Sequence, residues 1–326
     1  MTTDTKERIL QFVKLNGRAK VKDLVGFLGL GNVAIHRQLK KLVENGELKR
    51  LGSPPKVFYI IAEKSQEGAL GVAVELTKIV NDTYLYVSPS GDLLYGMDGF
   101  GVWAKKVGRD LGKAAREYVD VRLAADKFIS TNGYVDATEK IQNTFDRIFV
   151  DKVLYKDFYS LPTFGKTKLG QLVLYAKQAQ NTELVKLISD QIRELILKII
   201  KKYKIRAIGW LPHSIPRKIQ FLKELKKDLN IQIQEVDLVK AYSGQVPVAQ
   251  KTLSKLEERV ENARKTIMIG ELGQKFDKVL LIDDAIGSGA TLNETAMKLK
   301  ETGMAKEVIG FAIVGSMKGF EVIREV

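Results

Sequence analysis

Cysteine is absent from the 326 residues, which rules out disulfides, thiolate metal sites and cysteine nucleophiles and suits a reducing compartment. Histidine occurs twice, as His36 and His213, too few for a histidine-built metal cluster. No run approaches the ~18 apolar residues that a membrane span needs, and the N-terminus lacks the apolar core of a secretion signal. A cytoplasmic protein with no membrane partner is expected. Acidic side chains are in short supply: 39 Asp and Glu face 53 Lys and Arg, a net charge of +14. Such an excess favours polyanionic partners, nucleic acid or phosphorylated metabolites. It is uneven, since residues 1–63 hold 12 basic and 6 acidic side chains and so carry +6 of the +14.

What is present reads as two or three folded domains, because a typical domain takes about 100 to 200 residues. In the first segment Ile9, Phe12 and Val13 repeat at helical spacing, then Val21, Leu24, Val25 and Leu28, with a break at Gly29–Gly31. A third helix turns Ile35, Leu39, Leu42 and Val43 inward and stops at Gly46. "ELKRL" and "KVFYII" then make two strands around a proline-bearing tip, Gly52 to Lys56. This order is that of a winged helix-turn-helix over residues 1–63. Its third helix leaves Asn32, Val33, Ala34, His36, Arg37 and Lys40 outward. Asn, His and Arg suit base edges, while Lys40 and Lys41 suit phosphates, and Arg50 and Lys56 flank the wing. Double-stranded DNA is the expected partner; winged helices that dock proteins are the alternative.

The segment 72–181 shows a hairpin across Ser88 to Gly91 and expected helices over 103–128 and 136–149, then a further amphipathic helix through "FGKTKLGQLVLYAKQAQ". It carries no recognisable chemistry, and a hood over a site or a dimerisation element are the roles open to it. From residue 182 helices alternate with short strands, "RAIGWLP", "IQEVDLV", "KVLLID" and "EVIGFAIVG", the pattern of a parallel α/β sheet.

The most specific stretch is "KVLLIDDAIGSGATLNE", Lys278 to Glu294. A buried strand ends in two carboxylates, and a small-residue turn runs into a helix N-terminus, an arrangement of backbone N–H groups that binds phosphate. Carboxylates beside a phosphate repel it unless the ligand also brings hydroxyls or a metal, and a ribose 5-phosphate brings hydroxyls. A P-loop would need Gly-Lys-Ser/Thr, and the dinucleotide fingerprint would need a small residue where Leu292 stands.

The stretch resembles the signature of type I phosphoribosyltransferases. Upstream, Gln250, Leu253, Ser254, Glu258, Arg259 and Asn262 resemble a segment of the ComF-type members. The resemblance covers Ile205 to the C-terminus and departs from the usual pattern in the small Ala285 and Gly287. It implies that Asp283 and Asp284 hold the ribose hydroxyls of phosphoribosyl pyrophosphate. The backbone N–H groups of Gly287, Ser288, Gly289, Ala290 and Thr291, with the Ser288 and Thr291 hydroxyls, would hold the 5-phosphate, and Ala285 and Ile286 belong to the same ligand-binding stretch. It makes His213, Ser214, Arg217 and Lys218 candidates for the pyrophosphate, and Gln250, Arg259 and Asn262 candidates for a covering loop. Equally open are a solvated helix start for Arg217 and Lys218, a structural loop role for His213, and a bracing role for Arg259 and Asn262. Mg²⁺ would arrive with the ligand rather than on a dedicated protein cluster.

The expected fold is therefore α/β: an N-terminal winged helix-turn-helix, a helical middle segment, and a phosphoribosyltransferase-like parallel-sheet domain over 182–326. The combination is similar to the purine-repressor family, in which a winged helix precedes a phosphoribosyltransferase-type sensor. It implies a homodimeric transcription regulator that senses phosphoribosyl pyrophosphate or a related nucleotide. The alternative is an active ComF-like transferase that moves phosphoribosyl to an unidentified acceptor and releases pyrophosphate.

Overall fold

The computed structural model describes residues 2–52, 54–62, 74–242, 248, 252–271 and 273–318, with the side chains of residues 2–4 left aside. They belong to two compact units, Met1–Leu70 and Gly71–Val326.

In the first unit α1 (Thr2–Asn16), α2 (Val21–Leu28) and α3 (Asn32–Glu44) precede β1 (Leu48–Leu51) and β2 (Phe58–Ile61). Ile9, Val13, Leu24, Ile35, Leu39 and Leu42 recur at helical spacing, and they close one core with Leu48 and Tyr59. The entry to α2 is fixed by the Asp23 carboxylate, which accepts the Lys20 N–H at 2.8 Å. β1 and β2 are antiparallel, with Leu48 opposite Ile61. Ala19 bridges to Tyr59 on the other side of β2, so the hairpin gains a short third segment.

The second unit begins with α4 (Val74–Thr83), the hairpin β3 (Leu85–Val87) and β4 (Leu93–Tyr95), α5 (Gly96–Lys106) and α6 (Leu111–Asp126). Next come β5 (Val135–Asp136), α7 (Thr138–Gln142), β6 (Lys152–Phe158), β7 (Ser160–Leu161), β8 (Gly165–Lys166), α8 (Lys168–Ala179) and α9 (Thr182–Tyr203). Then β9 (Ala207–Trp210), α10 (Phe221–Leu229), β10 (Gln234–Val236), β11 (Leu238–Lys240), α11 (Leu256–Thr266) and β12 (Ile267–Ile269) follow. β13 (Phe276–Ile286), α12 (Ala290–Glu301) and β14 (Ala305–Gly315) close the described chain.

Six strands form one sheet in the order β10-β9-β13-β14-β6-β5. All neighbours are parallel except the edge strand β5, which runs antiparallel to β6. Alternate side chains of a strand face opposite ways. On β13, Val279 and Leu281 enter one core and Leu280 and Ile282 the other. The first core lies under α4, α5, α6 and α12, through residues such as Val80, Phe100, Tyr118 and Leu292. The second lies under α8, α9 and α10, through Leu172, Ile192, Ile196 and Leu225. The unit is thus a three-layer α/β/α sandwich with helices on both faces of a mostly parallel sheet. Among the described residues no helix is long and apolar enough to cross a membrane.

Several expectations change. The boundary expected between 181 and 182 does not separate two bodies, because β6 lies inside the sheet beside β14, and Gly71–Val326 is one compact unit. The helix expected over 103–128 is two helices. Gly108 between them has φ +70°, where Cβ-bearing residues are strained, and Asp110 caps α6 by accepting the Lys113 N–H at 2.8 Å. The helix expected over 136–149 shrinks to α7. Beyond it the chain is held by Asn293 of α12, whose amide accepts from Phe149 N at 2.8 Å and donates to Arg147 O at 3.0 Å. "IQEVDLV" is two strands, since β10 pairs with β9 and β11 turns away to pair with β12.

Candidate functional site

The chain leaves β9 through α10 for β10 on one side and leaves β13 through α12 for β14 on the other. Crossovers that diverge from adjacent parallel strands to opposite faces of the sheet, as α10 and α12 do, open a crevice at the strands' carboxyl ends, the usual ligand position in such sheets. The loop after β9, residues 211–220, and the turn after β13, residues 287–289, flank that crevice.

The strand β13 carries the expected carboxylates, but it does not stop at them. Its pairing with β9 ends at Ile282 opposite Trp210, whereas its pairing with β14 runs on to Ile286 opposite Gly315. Asp283 and Asp284 therefore stand where β9 falls away and β13 continues, at the opening of the crevice. Both are partly buried. Burial pushes the Asp283 carboxyl up to about 6, against the lowering effect of the Lys177 charge. The Asp283 carboxylate also accepts the Asp284 N–H at 2.8 Å. Asp284 forms an ion pair with Lys177 from the last turn of α8.

Beyond the carboxylates Gly287 is exposed and Ser288 and Thr291 are partly buried. Gly289 has φ +82° and caps α12, and a Cβ there would come within 2.6 Å of Ile141 Cδ1 on α7. Only glycine meets both conditions, and its conformation aims the first N–H groups of α12 at one point. The Ala290 N–H reaches Ser288 Oγ at 3.4 Å. α7 lies over this turn: Ile141 packs on Gly289, and Lys140 donates to Ser316 O at 2.8 Å while Ser316 N donates to Ile286 O at 2.9 Å. Burial brings the Lys140 ammonium down to about 8.

The loop after β9 is held by contacts of its own. His213 O and Ser214 O accept from the Tyr242 hydroxyl at 3.3 and 3.1 Å. Burial, with help from Lys223, lowers the His213 imidazole from its ordinary value. The Arg217 guanidinium donates to Lys177 O at the end of α8, and Ile219 N donates to Gln180 Oε1 at 2.8 Å. Lys218 is exposed. Arg217 thus donates to protein backbone and is half-buried, so it is not a solvated helix start.

Of the covering-loop candidates, Arg259 lies beside the turn, since a Cβ at Gly287 would meet its guanidinium at 3.8 Å. It also donates to Leu253 O at 2.8 Å. Asn262 accepts from Lys240 at 3.1 Å, a lysine that burial and then Lys298 bring down to about 8. Gln250 lies outside the described residues. Among the described residues no cluster of three or more His, Cys, Asp or Glu side chains is placed to hold a metal. Sequence reasoning missed Lys177 and Ile141, which contact the candidate stretch, and Lys140, which is tied to it through Ser316; nothing local marks them, because they meet it only through the packing of α8 and α7.

In the first unit Asn32, His36, Arg37, Lys40 and Lys41 are all exposed on α3, with Val33 79% exposed between them. Arg50 and Lys56 are exposed on either side of the hairpin tip, of which Ser53 lies outside the described residues.

No protein-family profile and no curated protein matches this chain. Solved structures that resemble it include phosphoribosyltransferases. A hypoxanthine phosphoribosyltransferase from Staphylococcus aureus is 17% identical over 45% of this chain and 71% of its own, with a TM-score of 0.26. A purine phosphoribosyltransferase from Pyrococcus horikoshii is 19% identical over 43% of this chain and 94% of its own, at 0.24. An adenine phosphoribosyltransferase from Leishmania tarentolae is 15% identical over 47% and 88%, at 0.26. Likenesses of this size assign neither ligand nor activity to this chain.

Proposed function

We propose that the crevice binds phosphoribosyl pyrophosphate or a related ribose-phosphate nucleotide, and that the chain is a DNA-binding transcription regulator that senses it. The observation that carries this reading is the pair Asp283 and Asp284 at the mouth of the crevice, beside a glycine turn that opens α12. Hydroxyls of a ribose suit the two carboxylates. The N–H groups from Gly287 to Thr291, with the Ser288 and Thr291 hydroxyls, suit its 5-phosphate at a helix N-terminus. The carboxylates also fit a magnesium ion that travels with the pyrophosphate, whose chemistry here is to neutralise that group. Arg259 is at hand for the same negative charge. The first unit has the order of a winged helix, and its α3 offers a polar and basic face to duplex DNA.

Sensing is preferred to phosphoribosyl transfer because the exposed polar and basic face of α3 suits a nucleic-acid partner, which a transferase does not need. Calorimetry of the full chain with Mg²⁺ and phosphoribosyl pyrophosphate tests the site. Binding is expected in the wild type and its loss in Asp284→Asn, Thr291→Ala, with the melting temperature kept. Equal affinity in the double variant removes the site reading, and release of pyrophosphate with any acceptor replaces the sensor by a transferase.

A further inference from the structure

Lys177 stands in the last turn of α8, on the opposite side of the crevice from α12. Its ammonium pairs with Asp284, and the two side chains keep 35% and 16% of their exposure, so the pair is open to a molecule entering the crevice. The same residue's carbonyl accepts from Arg217, and three residues on Gln180 accepts from Ile219 N. The end of α8 is thereby fixed to the loop after β9, and the lysine stem is anchored between the two loops that flank the crevice.

A phosphoribosyl ligand reverses the local need for charge. Its hydroxyls satisfy carboxylate oxygens as hydrogen-bond donors, while its phosphates bring negative charge that two carboxylates repel. A cation already seated on one of those carboxylates is placed to change partners, and an ammonium-to-phosphate contact is stronger than a neutral hydrogen bond. Lys140 does not fill this place, since it is turned to Ser316 O, and Arg259 stands at Gly287, beyond the carboxylates along the chain.

The geometry points to Lys177 as a ligand-binding residue of this crevice, whose ammonium leaves Asp284 for the phosphate oxygens as the ribose hydroxyls take the carboxylates. The inference rests on the ribose-phosphate reading given above and adds a residue that the signature stretch does not contain. It also makes α8 a third wall of the site.

The test uses the full chain with two probes, phosphoribosyl pyrophosphate with Mg²⁺ by calorimetry and the phosphate-free methyl ribofuranoside by NMR titration. Lys177→Met should weaken the first by about tenfold or more, which is about 1.4 kcal/mol, and should not weaken the second. Lys177→Arg should restore most of the first. A general structural defect would lower both affinities together, and that outcome overturns the assignment. So does an unchanged affinity for the charged ligand in Lys177→Met while Asp284→Asn abolishes it, which leaves the ribose-phosphate reading standing. If the wild type binds neither probe, that parent reading falls and takes this one with it. Lys177→Gln, which keeps a helix-compatible side chain without the charge, decides the matter if Lys177→Met does not fold.

Discussion

Asp283 is kept in an environment that disfavours its charge, as binding groups often are. Its folded value of about 6 lies above the ordinary 3.8, chiefly through burial. Between these values the folded chain holds a proton that the unfolded chain has released. The contribution to stability is therefore full below the lower value and is lost as pH rises through the upper one. Asp283→Asn should flatten this slope and raise the melting temperature at neutral pH by about 2 to 4 °C per kcal/mol recovered. Thermal melts of both proteins across that pH interval check it; parallel profiles would mean that Asp283 is no burden. The carboxylate pair was legible in the sequence because two acidic residues at the end of an apolar run contradict the run's own pattern. Lys177 was not legible, because a lysine in the last turn of a helix is what the helix dipole alone would select. Only tertiary packing gives it Asp284.

At the scale of the element, α3 was legible because its apolar positions recur every three or four residues and its remaining positions are polar. Arg37 is exposed at the centre of that outward face. If it reads a base edge, Arg37→Ala should cost about 1 to 3 kcal/mol at a cognate site, and Lys40→Ala should weaken all sequences alike and reduce the salt dependence. Fluorescence anisotropy of the full chain on specific and scrambled duplexes separates the two effects, and no binding at low salt would end the DNA proposal. β6 was not legible. Lys152, Lys156 and Asp157 interrupt its apolar residues, while Val153, Leu154 and Tyr155 are buried in succession on both faces. A strand buried on both sides has no alternation to detect. α7 was overextended for a related reason: the chain after Gln142 looks helical by composition, but Asn293 captures its backbone.

For the whole molecule, the regulator proposal requires that ligand and DNA see one another. A ligand shifts DNA affinity only by binding two conformations unequally, and typical couplings are about 1 to 3 kcal/mol, reciprocal between the sites. Operator affinity should change several-fold on saturation with phosphoribosyl pyrophosphate and Mg²⁺, and the change should vanish in Asp284→Asn, Thr291→Ala. Indifference of the wild type to saturating ligand would separate the two activities. The position of β6 also has a bearing on synthesis. Among the described strands its partners are β5, which precedes it, and β14, which follows it by about 150 residues and is the last of the described elements. A chain emerging from the ribosome can close the first unit early, because its contacts are local. The second must wait with β6 half-paired until β14 arrives. Nascent chains arrested before Ala305 should remain open to protease around β6, and protection should begin only once Gly315 has cleared the exit tunnel. Protection in chains arrested just after α8 would mean that the upstream elements hold β6 without its long-range neighbour.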